Sequence, residues 1–117
     1  MTESEFLDLA DSTLNRIETC FDNLNDQDVV DVECKRNGNV LEIEFIDNGS
    51  KIIVNSQAPL QEMWMAARSG GFHYKRVGDE WRNTRDDSEF FTALSDIATQ
   101  QGGAPVVPLN LIGDFGG

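Results

Sequence analysis

The feature that constrains this chain most is a change of hydrophobic period that happens twice. Phe6, Leu9, Leu14, Ile17, Phe21 and Leu24 recur at helical spacing behind Thr2 and Glu5, whose separation is that of a capping box. From residue 30 onward the period drops to two, with turn residues as punctuation. Near residue 88 it returns to helical spacing, with Phe90, Phe91, Leu94, Ile97 and Ala98 on one side and Gly102-Gly103 as the stop.

The first pattern predicts a helix over about 3–23 and the last a helix over about 88–101. Between them, Val30, Val32 and Cys34 alternate with Asp31, Glu33 and Lys35, and Asn37-Gly38 supplies a hairpin turn. Leu41, Ile43 and Phe45 alternate with Glu42 and Glu44. Asp47-Asn48-Gly49 makes the next turn, and since no secretion signal is read, the glycosylation pattern Asn48-Gly49-Ser50 means only that turn. Further strands are expected at about 51–55, 61–66, 72–77 and 80–83, separated by Pro59, Gly70-Gly71 and Gly78-Asp79. Strands in series with helices only at the ends predict an α+β fold. Two terminal helices should pack on one face of a five- to six-stranded antiparallel sheet.

A chain of 117 residues, 39% hydrophobic with seven Phe and two Trp, suits one domain with a modest core. That domain is expected to span residues 1–103. The segment 104–117 holds Val106, Val107, Leu109, Leu111 and Ile112, and is expected to lie in part along the helical layer as a tail.

Charge narrows the function. There are 21 acids against 9 bases, a formal charge of −12, and a field of that sign repels nucleic-acid phosphates and anionic lipids. Residues 1–33 carry ten acids against the single base Arg16. A solvated face that aids solubility is the plain explanation of such a run. No stretch of about 18 apolar residues is present, and the start of the chain is neither signal-like nor transit-like, so the expected location is the cytoplasm. Cys20 and Cys34 are too few for a disulfide scaffold and are expected to be buried thiols.

Two groups of residues could carry chemistry. Asp11, Asn15, Glu18 and Asp22 stack on one stripe of the first helix. Glu18 and Asp22 on its last turns lead to Asp26 and Asp28 in the following loop, then to Asp31 and Glu33 on the outward face of the first strand. Acids near a helix C-terminus oppose its dipole, which hints at use. Carboxylate oxygens without imidazole or thiolate partners suit hard cations such as Fe²⁺, Fe³⁺, Mn²⁺, Ca²⁺ and Mg²⁺, and fit zinc poorly. A ridge implies open, weak coordination. An EF-hand is excluded because neither Asp22 nor Asp26 leads to Gly at the sixth loop position.

The second group is the outer sheet face, where Trp64 points away from Met63 and Met65, with Ile53, Asn55 and Gln57 beside it. An exposed Trp flanked by amides suits a protein-binding hot spot, or it caps a sheet edge. His73, the only histidine, makes neither a catalytic pair nor a metal cluster alone, and either lines this face or adds a single ligand. With no phosphate loop, nucleophile elbow or Cys/His pair, an enzyme is not expected.

The run from Asn55 to Trp64, then Gly70-Gly71-Phe72-His73-Tyr74 and Gly78-Asp79-Glu80-Trp81, resembles the signature of the frataxins, specifically the bacterial CyaY type. Ser4-Glu5-Phe6 with Leu9-Ala10-Asp11 is similar to that type as well. The resemblance covers about 3–103 and implies two helices on an antiparallel sheet. It further implies iron, as Fe²⁺ or Fe³⁺, held weakly by Glu18, Asp22, Asp26, Asp28, Asp31 and Glu33, with Asp11 a weaker candidate. It implies docking of the ridge on a cysteine desulfurase. Asn55, Gln57, Trp64 and His73 would contact the iron–sulfur assembly complex and its scaffold. The expected roles are iron-dependent regulator of the desulfurase, iron donor, or both, by a protein monomeric without metal. An acidic adaptor without a metal role and a weak ferroxidase or iron-storage protein are the alternatives. Thr19, Asn23 and Asn25 are uncharged where relatives often add acids, and the tail is longer than that type suggests.

Overall fold

The computed structural model of the chain describes residues 1–103; the tail expected over 104–117 lies outside the described residues. The elements run α1 (Glu3–Asp26), β1 (Val32–Asn37), β2 (Val40–Phe45), β3 (Lys51–Gln57), a 3-10 turn (Ala58–Leu60), β4 (Glu62–Ala67), β5 (Gly70–Val77), β6 (Glu80–Asn83) and α2 (Phe90–Gly102). The six strands form one antiparallel sheet in the order of the sequence. Its inner face meets both helices, so the α+β arrangement read from periodicity holds.

Thr2 caps α1 through the reciprocal bonds of a capping box, Glu5 N to Thr2 Oγ1 at 3.1 Å and Thr2 N to Glu5 Oε1 at 3.0 Å. The helix runs one turn beyond expectation because Leu24 continues the apolar stripe and is buried. Asp26 is therefore the last helical residue rather than a loop residue. The chain turns at Asp28, whose φ is +58°. Val30 is buried but precedes β1, so the first strand begins two residues later than its alternation suggests. The first hairpin loop is Gly38-Asn39, since Asn37 pairs with Val40 and Gly38 holds φ +60°. A positive φ at the first loop position matches the hand of the strand twist. Helix α2 is capped by Glu89, whose carboxylate accepts from the N–H of Phe91 at 2.7 Å and of Thr92 at 3.0 Å.

The core lies between the inner sheet face and the helices. Leu41, Ile43, Ile52, Val54, Met63, Met65, Tyr74 and Trp81 meet Phe6, Leu14, Ile17 and Phe21 of α1 and Phe90 and Leu94 of α2, all buried. Each such side chain contributes about 1.5–3 kcal/mol. Phe6 meets Trp81 edge to face at 5.9 Å, and Tyr74 meets Phe90 at 4.9 Å. Inside this layer, the indole N–H of Trp81 donates to Thr13 Oγ1 at 3.0 Å, and Thr13 donates in turn to the carbonyl of Leu9 at 2.8 Å. Buried Gln101 ties the end of α2 to two turns: its amide donates to Ser50 Oγ at 3.2 Å and accepts from the N–H of Arg68 at 3.0 Å.

Candidate functional site

The acidic ridge forms along one edge of the molecule, where the end of α1 passes into β1, the first strand of the sheet. Asp22, Asp26, Asp28, Asp31 and Glu33 are exposed and Glu18 is half-buried. Asp22 and Asp26 lie in the last turns of α1, which carries no basic residue there. Asp28 sits on the left-handed turn, Asp31 just before β1, and Glu33 on the solvent side of β1. Among the described residues, no ion pair or side-chain hydrogen bond engages these six carboxylates. Nor are any three His, Cys, Asp or Glu placed to hold a metal ion jointly among those residues. The donors are all oxygens, which fits a hard cation, and their spread fits coordination completed largely by water.

Asp11 does not share that freedom. Arg36 reaches from the inner side of β1 to Asp11 Oδ1 at 2.5 Å, to Asn15 Oδ1 at 2.8 Å and to the carbonyl of Gly38 at 2.7 Å. The upper part of the helix stripe is thus occupied by a cation of the protein's own, which divides Asp11 from the ridge. Nothing in the acidic run itself reveals this; the signal is a basic residue at an inward strand position.

Cys34 stands behind the ridge. It is half-buried rather than buried, while Cys20 is buried as expected. Burial first, and then the carboxylates of Asp22 and Glu18, push its thiol up to about 12. Without a metal beside it, the thiol stays protonated at neutral pH.

On the outer sheet face, alternation places Ile53, Asn55 and Gln57 on one side of β3, whose strand continues through Gln57. Asn55 pairs with Trp64 and Trp64 with His73. The two rings are stacked, with centroids 4.3 Å apart and planes 6° from parallel. Glu62, two residues before Trp64 and so on the same face, accepts the indole N–H at 2.8 Å, and the same oxygen lies 3.7 Å from His73 Nδ1. Gln57 donates to Asn55 Oδ1 at 3.1 Å. Ile53, Asn55, Trp64 and His73 line a shallow depression of about 110 Å³. The four face residues expected from sequence are therefore brought together. Glu62, which orders two of them, falls on the same side of the strand as Trp64 by alternation but is not among the residues the sequence singles out for binding. Trp81 and Tyr74 are core aromatics as expected, and Phe72 packs half-buried against the core.

Among the described residues, no helix is long and apolar enough to cross a membrane. Residues 1–104 match the family model of the frataxin-like domain. The chain is 64% identical over 107 residues to the iron–sulfur cluster assembly protein CyaY of Janthinobacterium sp. (strain Marseille), covering 92% of this chain and 96% of that one. It is 63% identical to the protein of the same name from Herminiimonas arsenicoxydans, with the same coverage. Among solved structures it resembles the frataxin of Psychromonas ingrahamii, with a TM-score of 0.78 at 35% identity, covering 91% of this chain and 96% of that one. The trimeric frataxin of the yeast Saccharomyces cerevisiae, in a ferrous complex, shares the fold with a TM-score of 0.69 at 19% identity, covering 81% and 86%. With the signature residues in place on β3 to β6, the chain belongs to the frataxin-like family, of the bacterial CyaY type.

Proposed function

We propose that this chain serves iron–sulfur cluster assembly, the role named for its bacterial relatives, by binding iron weakly on the ridge and docking there on a cysteine desulfurase. Iron on the ridge changes how fast sulfur reaches the scaffold protein, or passes with the chain to that scaffold. The observation that carries this reading is the edge of six carboxylates, five exposed and Glu18 half-buried, none engaged by a cation of the protein among the described residues. Such an edge attracts iron cations and a basic protein surface by the same field. The sheet face around Trp64 contacts the scaffold. The protein works as a cytoplasmic, non-enzymatic monomer when metal-free.

The experiment is an anaerobic NMR titration of the labelled protein with Fe²⁺, followed by the desulfurase and then the scaffold protein. The reading expects broadening at Glu18, Asp22, Asp26, Asp31 and Glu33, with the Trp64 face perturbed only after the scaffold is added. Desulfurase docking should weaken as salt rises, because screening at 0.1 M reaches about 10 Å. Affinity that ignores salt would remove the ridge from the interface.

A second reading, an acidic adaptor with no metal role, draws on the lack of any converging group of ligands among the described residues. It expects partner binding to persist while iron below millimolar levels leaves the spectrum unchanged. Ferroxidase chemistry fits least, since di-iron oxidation uses Glu and His ligands converging from facing helices.

A further inference from the structure

On the outer sheet face, one carboxylate oxygen of Glu62 serves two rings: it accepts the Trp64 indole N–H at 2.8 Å and lies 3.7 Å from His73 Nδ1. Trp64 and His73 are paired across β4 and β5 and stacked face to face. Their exposures differ. The Glu62 side chain keeps only 12% of its surface and His73 keeps 50%, so the carboxylate is held beneath a ring that water still reaches.

From this arrangement we propose that the docking face around Trp64 is proton-linked through His73, accepting the scaffold protein with the imidazole neutral and releasing it as His73 gains a proton. The inference rests on the reading of this face as a docking surface. In the free protein a protonated imidazole is well placed. It lies against the π-face of Trp64 as a cation and beside the Glu62 carboxylate, while its exposed half stays hydrated. A partner that covers Trp64 must also cover the ring stacked on it, and stripping water from a cation costs far more than stripping it from a neutral ring. Docking therefore selects the neutral ring.

The surrounding charges do not replace His73 in this role. Within β5, Lys75 stands two residues away and faces Glu62 across the β4 pairing. On β6, Arg82 lies opposite Lys75 and is bonded to Glu80 and to the carbonyl of Asp87. The residue bonded to the His73 carbonyl is Thr84, which is uncharged, and Arg85 follows it. Apart from Glu62, these groups are the bases Lys75, Arg82 and Arg85 and the acid Glu80, and none of them is an imidazole.

The test has two readouts on the full chain. The first follows the Trp64 Nε1–H resonance of the free protein against pH, in the wild type and in His73→Gln. The second measures affinity for the purified scaffold protein over the same range, with Trp64→Ala as a third protein. A single step in the Trp64 resonance as His73 gains its proton, absent from His73→Gln, is expected. Wild-type affinity should fall about threefold to tenfold through that step, and His73→Gln should keep its high-pH affinity throughout. The proton link is overturned if the fall persists in His73→Gln, or if both proteins give the same resonance step. If Trp64→Ala docks as well as the wild type at every pH, the docking reading of this face fails instead, whatever the free-protein resonance does.

Discussion

The indole N–H of Trp81 on β6 donates to the hydroxyl of Thr13 on α1 at 3.0 Å, a buried bond between residues 68 positions apart. It closes the core between the last strand and the first helix. Thr13→Val leaves the indole donor buried with no acceptor, so we expect a loss of about 1–3 kcal/mol in urea unfolding. Adding Trp81→Phe removes the donor too. A double-mutant cycle should then show strong coupling, the pair costing less than the sum of the single changes. Independent losses would mean the bond carries none of the stability.

Asp26 ends α1 among other acids, where the helix dipole is negative. Asp26→Asn should therefore raise stability by about 0.3–1 kcal/mol at low ionic strength, an effect that salt erodes. The same change should weaken Fe²⁺ broadening of neighbouring amides. A variant with unchanged stability at low salt would show that the local repulsion is already relaxed.

Cys34 predicts an alkaline signature. Its thiol rises from an ordinary 9.0 to about 12 through burial and the nearby Asp22 and Glu18 carboxylates. Above pH 9.0 the unfolded chain gives up this proton while the folded one keeps it, so stability falls as pH rises toward about 12. Tyr74 adds to the fall from its ordinary 10.0 upward. In Cys34→Ala the decline from pH 9.0 should be shallower, what remains coming from Cys20, whose thiol is also pushed up by burial, and from Tyr74. Alkylation of Cys34 in the folded protein should also be far slower than in the unfolded chain at pH 8, which mass spectrometry can follow.

Trp64 separates folding from docking. Its stack with His73 lies outside the core, and Trp64→Ala should cost only about 0.5–1.5 kcal/mol of stability. As a docking anchor it should cost about 2 kcal/mol or more of binding, roughly thirtyfold in Kd. Calorimetry of unfolding and of partner binding on one preparation checks both. Equal losses would make Trp64 a structural residue.

Much of this molecule is legible in period and punctuation. The strand alternation places Ile53, Asn55, Gln57 and Trp64 on the outer face because a side-chain period of two depends only on the backbone. The ridge is legible as an acidic run for the same reason, since α1 and β1 are consecutive. What escapes are features made by tertiary reach. Arg36 takes Asp11 out of the ridge by crossing from a strand to a helix. Glu89 caps α2 because the bridge between Arg82 and Glu89 sets where the chain enters the helix, although Ser is the more usual cap. Asp26 becomes helical because burial of Leu24 outweighs the local acids.

Every strand pairs with its neighbour in sequence, and this order separates the closures in time. The sheet can zip hairpin by hairpin, each step joining segments only a few residues apart. Docking α1 against β6 requires closing the long loop between Thr13 and Trp81. On this route, changes at the β2–β3 hairpin slow folding, while Thr13→Val chiefly speeds unfolding. A chevron in which Thr13→Val moves the folding limb as far as the unfolding limb would place helix docking early. The meander thus makes the hairpins the fast local events and the meeting of the two ends of the domain the commitment to the native state.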